Sequence, residues 1–408
     1  MQTLFANARL LDPADGSVTE GHLLVADGRI AERPSRAAAA ADRRVIDLKG
    51  RTLMPGLIDA HVHVIASMMN LGANAMQPDA LAVLRSLPIM RGMLDRGFTT
   101  VRDVGGAPYA LAVAMEQGLA VGPRLVVCGK AIGRTGGHTD FRGRYDDRDK
   151  HRADRNFGAL GRIADGVDEV RRATREELKG GAQFIKIMAN GGVASPTDPI
   201  HWQGYSPAEI TAVVEEAADA GTYVSAHLYT DAALARAIAC GVHSLEHCNL
   251  IEAKTAKEAA AKGCVAVPTL VTYEALAQDG PGFGFPPDSI AKIETVRSAG
   301  MRSLEILRDA GVRMAFGTDL LGETHVRQSE EFAIRGRVLK AMEVIRSATT
   351  EAAKLCFAEG RLGTLAIGAH ADLIAVDGRP DEDLAPLAAG ERGIPVVMKA
   401  GELHRARL

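Results

Sequence analysis

From residue 57 to residue 358 the chain alternates short runs of β-branched and apolar residues with Ala- and Glu-rich stretches of helical spacing. That alternation is the pattern of repeated strand–helix units on a parallel sheet. Eight apolar runs carry the strand signal, at 57–61, 99–104, 124–128, 184–188, 223–227, 244–248, 265–268 and 313–318. Helices are predicted over 207–220, 231–239 and 253–262, each followed by a glycine (Gly221, Gly241, Gly263) where a left-handed C-terminal cap is favoured. Eight such pairs over roughly 300 residues suit a (β/α)8 TIM barrel, whose usual size is about 250 residues with insertions tolerated. The expected fold class is therefore α/β.

The two ends read differently. Apolar runs at 4–11, 21–26 and 45–48 are separated by turn signals such as Asp27-Gly28 and Lys49-Gly50, and the tail repeats this punctuation at 363–367, 371–376 and 396–400. The expectation is a small β-sandwich formed jointly by residues 1–56 and 359–408, beside a barrel of residues 57–358. Three connections, 129–166, 189–205 and 269–289, exceed the usual loop length and follow predicted strands, so they are expected over the face where barrels carry chemistry. Within them, 193–203 and 272–287 are candidate lids or specificity loops. An alanine run near Ala37 is the one low-complexity stretch.

Composition narrows the function classes. The chain has 408 residues, 47% hydrophobic, with 48 Lys and Arg against 51 Asp and Glu, so no single sign dominates the surface. No nucleic-acid or membrane partner is expected. The five cysteines lack C-x-x-C spacing, which indicates neither a disulfide framework nor a thiolate zinc site and fits a reducing cytoplasm. Residues 1–12 lack the features of an export signal, and no apolar run approaches the roughly 20 residues of a membrane-spanning helix.

Candidate chemistry collects at the ends of the predicted strands. His61 and His63 are two apart on one strand and so share a face. Lys186 lies in the run Phe184-Ile185-Lys186-Ile187-Met188, too apolar for a solvated ammonium. A buried lysine must be paired, neutralised or chemically modified. It is read here either as one half of an ion pair or as a carbamylated lysine bridging two cations. His227, His247 and Asp319 close three further strands. Each alone has a bland reading, as a core histidine or a helix N-cap; together they form a set of metal-ligand type.

The segment Met54-Pro55-Gly56-Leu57-Ile58-Asp59-Ala60-His61-Val62-His63, with Lys186, His227, His247 and Phe316-Gly317-Thr318-Asp319, resembles the metal-dependent amidohydrolase superfamily. The tail Gly363-Thr364-Leu365-Ala366-Ile367-Gly368-Ala369-His370-Ala371-Asp372-Leu373 looks like the strand-forming end of such proteins. The resemblance implies that His61, His63 and Asp319 hold one divalent metal ion and that His227 and His247 hold a second. A carboxylated Lys186 would bridge the two. Zinc suits these nitrogen and oxygen donors. It also implies a shared water activated as metal-bound hydroxide, with Asp319 moving its proton to the departing amine, and a homo-oligomer.

The stretches Gly133-Arg134-Thr135-Gly136-Gly137-His138, Lys186 to Gly192 and Ala226-His227-Leu228-Tyr229-Thr230 look like the branch containing Xaa-Pro dipeptidases, metallo-carboxypeptidases and ochratoxin-hydrolysing enzymes. In that branch the counterparts of His138 and Tyr229 orient the substrate carbonyl or carboxylate; Leu228 departs from the alanine expected there. Arg134, Arg142, Arg144 and His201, on the overhanging loops, are candidate carboxylate grips. The expected function is hydrolysis of a small amide, releasing a C-terminal amino acid from a dipeptide or N-acyl amino acid. Alternatives are a cyclic-amide hydrolase of imidazolonepropionase type and a catalytically silent barrel.

Overall fold

The computed structural model describes residues 2–37, 43–195, 197–279 and 287–408, with 287–290 described by backbone alone. The end of the alanine run lies outside the described residues, as do residues 280–286 in the last candidate lid and Pro196 in the other.

The chain termini share one eight-stranded sheet. Its order is Glu402–Ala406, Val396–Lys399, Leu373–Val376, Thr52–Pro55, Gln2–Asp12, Ser17–Ala26 and Arg29–Glu32, with Arg43–Asp47 also paired to Gln2–Asp12. Antiparallel pairing of Leu373 with Pro55 and of Val376 with Thr52 joins the tail to the start of the chain. Phe5, Leu23, Val25, Leu53, Leu373, Val396 and Met398 fill one apolar core between these strands. The expected strand at 363–367 does not form. Gly363 and Gly368 take φ of +72° and +88°, and the Asp12 carboxylate accepts from the Thr364 hydroxyl and the Leu365 amide. Those turn-forming bonds consume the groups a strand would have paired.

The middle of the chain supplies parallel strands at Leu57–Val62, Phe98–Asp103, Arg124–Val127, Ile185–Met188, Val224–Thr230, Ser244–Leu250, Val265–Val267 and Arg313–Met314. The Gln183 amide donates to Val127 O at 2.8 Å, linking the third strand to the fourth. Ala60 N–H donates to Phe316 O at 2.7 Å and Asp319 N–H to His61 O at 2.8 Å, linking the eighth to the first. The hydrogen-bonded series therefore closes on itself. The eighth strand is shorter than expected because its continuation has other partners: Phe316 N–H bonds Ser347 O, and the Arg335 guanidinium takes Ala315 O. The long connection 129–166 adds two short strands, Ala131–Gly133 and Gly161–Ile163, paired in parallel.

Helices on the outside follow from ordinary start and stop signals. Ser206 and Glu209 form a reciprocal capping box on Pro207–Asp219, and Thr230 caps Asp231–Ala239. Ile210, Val213 and Ala217 pack against Ile185, Ile187, Val224, Ala226 and Leu228 in one buried cluster. Strand alternation turns the intervening residues Lys186, Ser225, His227 and Tyr229 the other way, into the ring. Sequence order thus delivers the candidate side chains inward while the apolar ones meet the helices.

Candidate active site

Four histidines converge near one end of the strands, and each engages an outer partner with one ring nitrogen. His61 Nδ1 lies 2.7 Å from Glu246 Oε2 and His63 Nδ1 lies 3.0 Å from Gly105 O. His227 Nε2 faces Gly191 O at 3.3 Å, and His247 Nδ1 faces the Thr269 hydroxyl at 2.9 Å. The other nitrogens turn inward: His61 and His63 Nε2 lie 3.3 and 3.2 Å from Asp319 Oδ1, and His227 Nδ1 meets His247 Nε2 at 2.9 Å. An outer bond at one nitrogen orients the ring and turns the other toward a shared centre, the arrangement in which an unprotonated nitrogen can ligate a metal ion. His61, His247 and Asp319 form the tightest trio, with ligand atoms within 4.8 Å of one another. This trio draws on both expected ligand sets.

Backbone conformation assists this convergence. Glu246 and His247 are consecutive, yet both reach the interior, which regular alternation forbids. His247 and Cys248 adopt φ of +73° and +60°, and Asp319 adopts +54°. Left-handed backbone at three non-glycine residues is a local strain that the surrounding packing must impose.

Behind the histidines sits a buried charge relay. Glu246 Oε1 accepts from Arg102 Nη2, Ser225 Oγ and Ser244 Oγ, each at 2.6 Å. Burial raises the Glu246 carboxyl, but Arg102 and the His61 hydrogen bond outweigh it and hold the group well below the usual range. Burial likewise opposes ionisation of Asp319, and His61, His63 and His247 overcome it. Lys186 is 1% exposed; burial lowers its ammonium from the ordinary lysine range against the pull of Glu246 and Asp319. A lowered pKa enlarges the neutral fraction of a lysine, the nucleophilic form that can take up carbon dioxide.

A pocket opens over these groups. Leu71, Phe141, Leu160, Met188, Val193 and Leu276 wall it, and His63, His138, Tyr229, Tyr273 and Asp319 face it. His138 stacks on His227 with ring centroids 4.3 Å apart, and its Nδ1 meets Ser195 Oγ at 2.6 Å. The Tyr273 hydroxyl donates to the Tyr229 hydroxyl at 3.2 Å. The candidate carboxylate grips are elsewhere. Arg134 stacks 5.7 Å over the Trp202 ring, Arg142 pairs with Asp140 at 2.7 Å, and Arg144 and His201 are exposed. None of the four lines this pocket. Arg142 does line an adjacent cavity, with Arg148, Lys150 and Arg152, whose wall contains none of the converging histidines.

A sequence model of the amidohydrolase family matches residues 52–403. The chain belongs to that family. Ochratoxinase of Aspergillus niger is 30% identical over 98% of this chain and 86% of its own length. Among solved structures, one of an amidohydrolase is 52% identical with a TM-score of 0.97, covering 100% of both chains. Another, of a prolidase complexed with N-methylphosphonate-L-proline, is 49% identical with a TM-score of 0.97 over the same full coverage. This amidohydrolase is a hydrolase of carbon–nitrogen bonds. Among its described residues no helix is long and apolar enough to cross a membrane.

The donor set fits divalent metal: inward nitrogens, one ionised carboxylate and one neutralisable lysine in a buried pocket are what a borderline cation accepts. Sequence reasoning missed Glu246, Arg102, Tyr273 and Ser195. The first two carried the signal that singled out Lys186, a charge inside an apolar strand; the last two lie on a helix face and a loop, where sequence spacing says nothing.

Proposed function

We propose that this amidohydrolase is a binuclear metal-dependent enzyme that releases the C-terminal amino acid from dipeptides or N-acyl amino acids. Prolyl dipeptides are the first substrates to test, and ochratoxin A the second, on the strength of the prolidase and ochratoxinase relatives. His61, His63 and Asp319 would hold one ion, His227 and His247 the other, and a carboxylated Lys186 would bridge them. The strand ring is read as a (β/α)8 barrel over 57–358, with 1–56 and 359–408 as the small β-sandwich domain. The observation that carries this reading is the inward aim of four histidine nitrogens beneath an apolar pocket.

When bound, two such ions supply Lewis acidity toward the scissile carbonyl and lower the pKa of a shared water. The chain's own residues do the rest. Asp319, held ionised by the histidines, accepts a proton at its carboxylate and returns it to the departing amine. Because Tyr273 donates to Tyr229, the Tyr229 proton is left to point at the carbonyl oxygen, where negative charge develops. His138, fixed through Nδ1, presents Nε2 to the substrate carboxylate. The apolar walls receive the acyl side chain and exclude water.

Zinc-reconstituted protein incubated with dipeptides, N-acyl amino acids and cyclic amides, with products identified by mass spectrometry, tests the reading. Release of a free C-terminal amino acid is expected. Ring opening with all linear amides untouched would overturn it in favour of a cyclic-amide hydrolase, and inertness of the metal-loaded protein toward every amide would favour a silent barrel.

A further inference from the structure

Behind His138 lies an arrangement that the chemistry above does not use. After strand Ile185–Met188 the chain packs so closely on His138 that a Cβ at Gly192 would lie 1.7 Å from His138 Nδ1. Asp198 accepts from the Gly192 amide at 2.9 Å, and its Oδ2 lies 3.7 Å from His138 Nδ1. Lys292, on helix Pro287–Asp309, donates to the carbonyls of Gly192, Ser195 and Asp198 at 3.2, 3.3 and 3.2 Å. An ammonium has three N–H donors and no acceptor, so these three carbonyls engage all of them. The helix is itself anchored: Ile293 and Val296 are buried, and Asn249 Nδ2 donates to Val296 O at 3.0 Å.

We propose that Lys292 is a positioning residue, its ammonium tying Gly192, Ser195 and Asp198 to helix Pro287–Asp309 and so holding Ser195 against His138. The three carbonyl dipoles point at one spot and repel unless a cation sits there. Without the tie the carbonyls move apart, Ser195 leaves Nδ1, and His138 loses the orientation in which it meets substrate. The role assigned to Lys292 rests on reading His138 as a substrate contact; the tie itself does not.

The chain carries a reporter beside these residues. Trp202 is its single tryptophan, and the Trp202 carbonyl accepts from the Gly191 amide at 2.9 Å and from Asn190 Nδ2 at 2.7 Å. Wild type, Lys292→Met and Lys292→Arg, each zinc-reconstituted, are compared by acrylamide quenching of Trp202 fluorescence, bound zinc, and KM and kcat on a prolyl dipeptide. Methionine keeps the apolar stem; arginine restores the donors. Lys292→Met is expected to increase quenching and raise KM about tenfold with smaller change in kcat and unchanged zinc, the loss of a charge-assisted contact, and Lys292→Arg to recover most of both. Ser195→Ala, which leaves Lys292 in place, is expected to raise KM similarly, with no further rise in the double variant. Unchanged quenching in Lys292→Met, or increased quenching at wild-type KM, would overturn the proposal. A wild-type enzyme inactive on peptides would defeat the substrate reading instead, while the quenching comparison still decides the tie.

Discussion

Glu246→Gln asks whether His61 is held ready for a metal ion by the groups behind it. In the wild type, Glu246 is buried, Oε2 takes the His61 Nδ1 hydrogen at 2.7 Å, and Oε1 takes three donors at 2.6 Å. In the variant the amide oxygen must face Arg102, Ser225 and Ser244, because an amide nitrogen would find no acceptor from Arg102 there. The amide nitrogen then points at His61 Nδ1 as a donor. His61 can only accept, so its proton moves to Nε2, the nitrogen 3.3 Å from Asp319. A protonated nitrogen is no ligand. Loss of such outer support costs roughly 10–100-fold in metal affinity, or about 1.4–2.8 kcal/mol. Folding is weakened separately, since Arg102 loses its anionic partner; breaking a buried pair costs roughly 3–5 kcal/mol, an upper value here because glutamine keeps the hydrogen bonds at Oε1. The assay is zinc titration against a coloured chelator, beside thermal unfolding of the metal-free protein. The metal-free variant should melt earlier and bind zinc more weakly within that range. Wild-type zinc affinity in a folded Glu246→Gln, alongside weakened affinity in His61→Ala, would refute the tautomer argument.

Asp319→Asn should leave the fold intact and lower kcat by about a thousandfold or more, because the amide cannot carry the proton; near-normal turnover would remove Asp319 from proton transfer. Metal-stripped enzyme reconstituted with zinc in CO2-free buffer should stay poorly active and recover with added bicarbonate, since Lys186 must be carboxylated to bridge; full recovery without bicarbonate would count against the carboxylysine. Tyr273→Phe should lower kcat about tenfold with a smaller change in KM, by freeing Tyr229 to turn its hydrogen elsewhere, as steady-state kinetics would read. Arg134→Gln and His201→Ala should leave kcat/KM within about twofold of wild type, because neither side chain lines the pocket; a tenfold loss in either would return it to the substrate site.

By itself the sequence determined the strand and helix rhythm of 57–358 and the six candidate ligands, because both depend on short-range periodicity. His61 and His63 share a face by their spacing alone, and Lys186 betrays itself as a charge inside an apolar strand. The cap residues Ser206 and Thr230 and the stop glycines act within one turn of their helices, which is why those boundaries were legible. Only the tertiary structure decided the rest. Residues 363–367 have strand-like composition, yet the Asp12 carboxylate, some 350 positions away in the chain, draws them into a turn. The left-handed backbone at His247 lets consecutive side chains both face inward, contrary to strand alternation. Arg134 and His201 satisfy every compositional test for a carboxylate grip and line another part of the surface, whereas Lys292, a hundred positions beyond Gly192, reaches the carbonyls behind His138. Contacts between distant segments arise from packing and hydrogen-bond competition across the folded molecule, and local spacing carries no record of them.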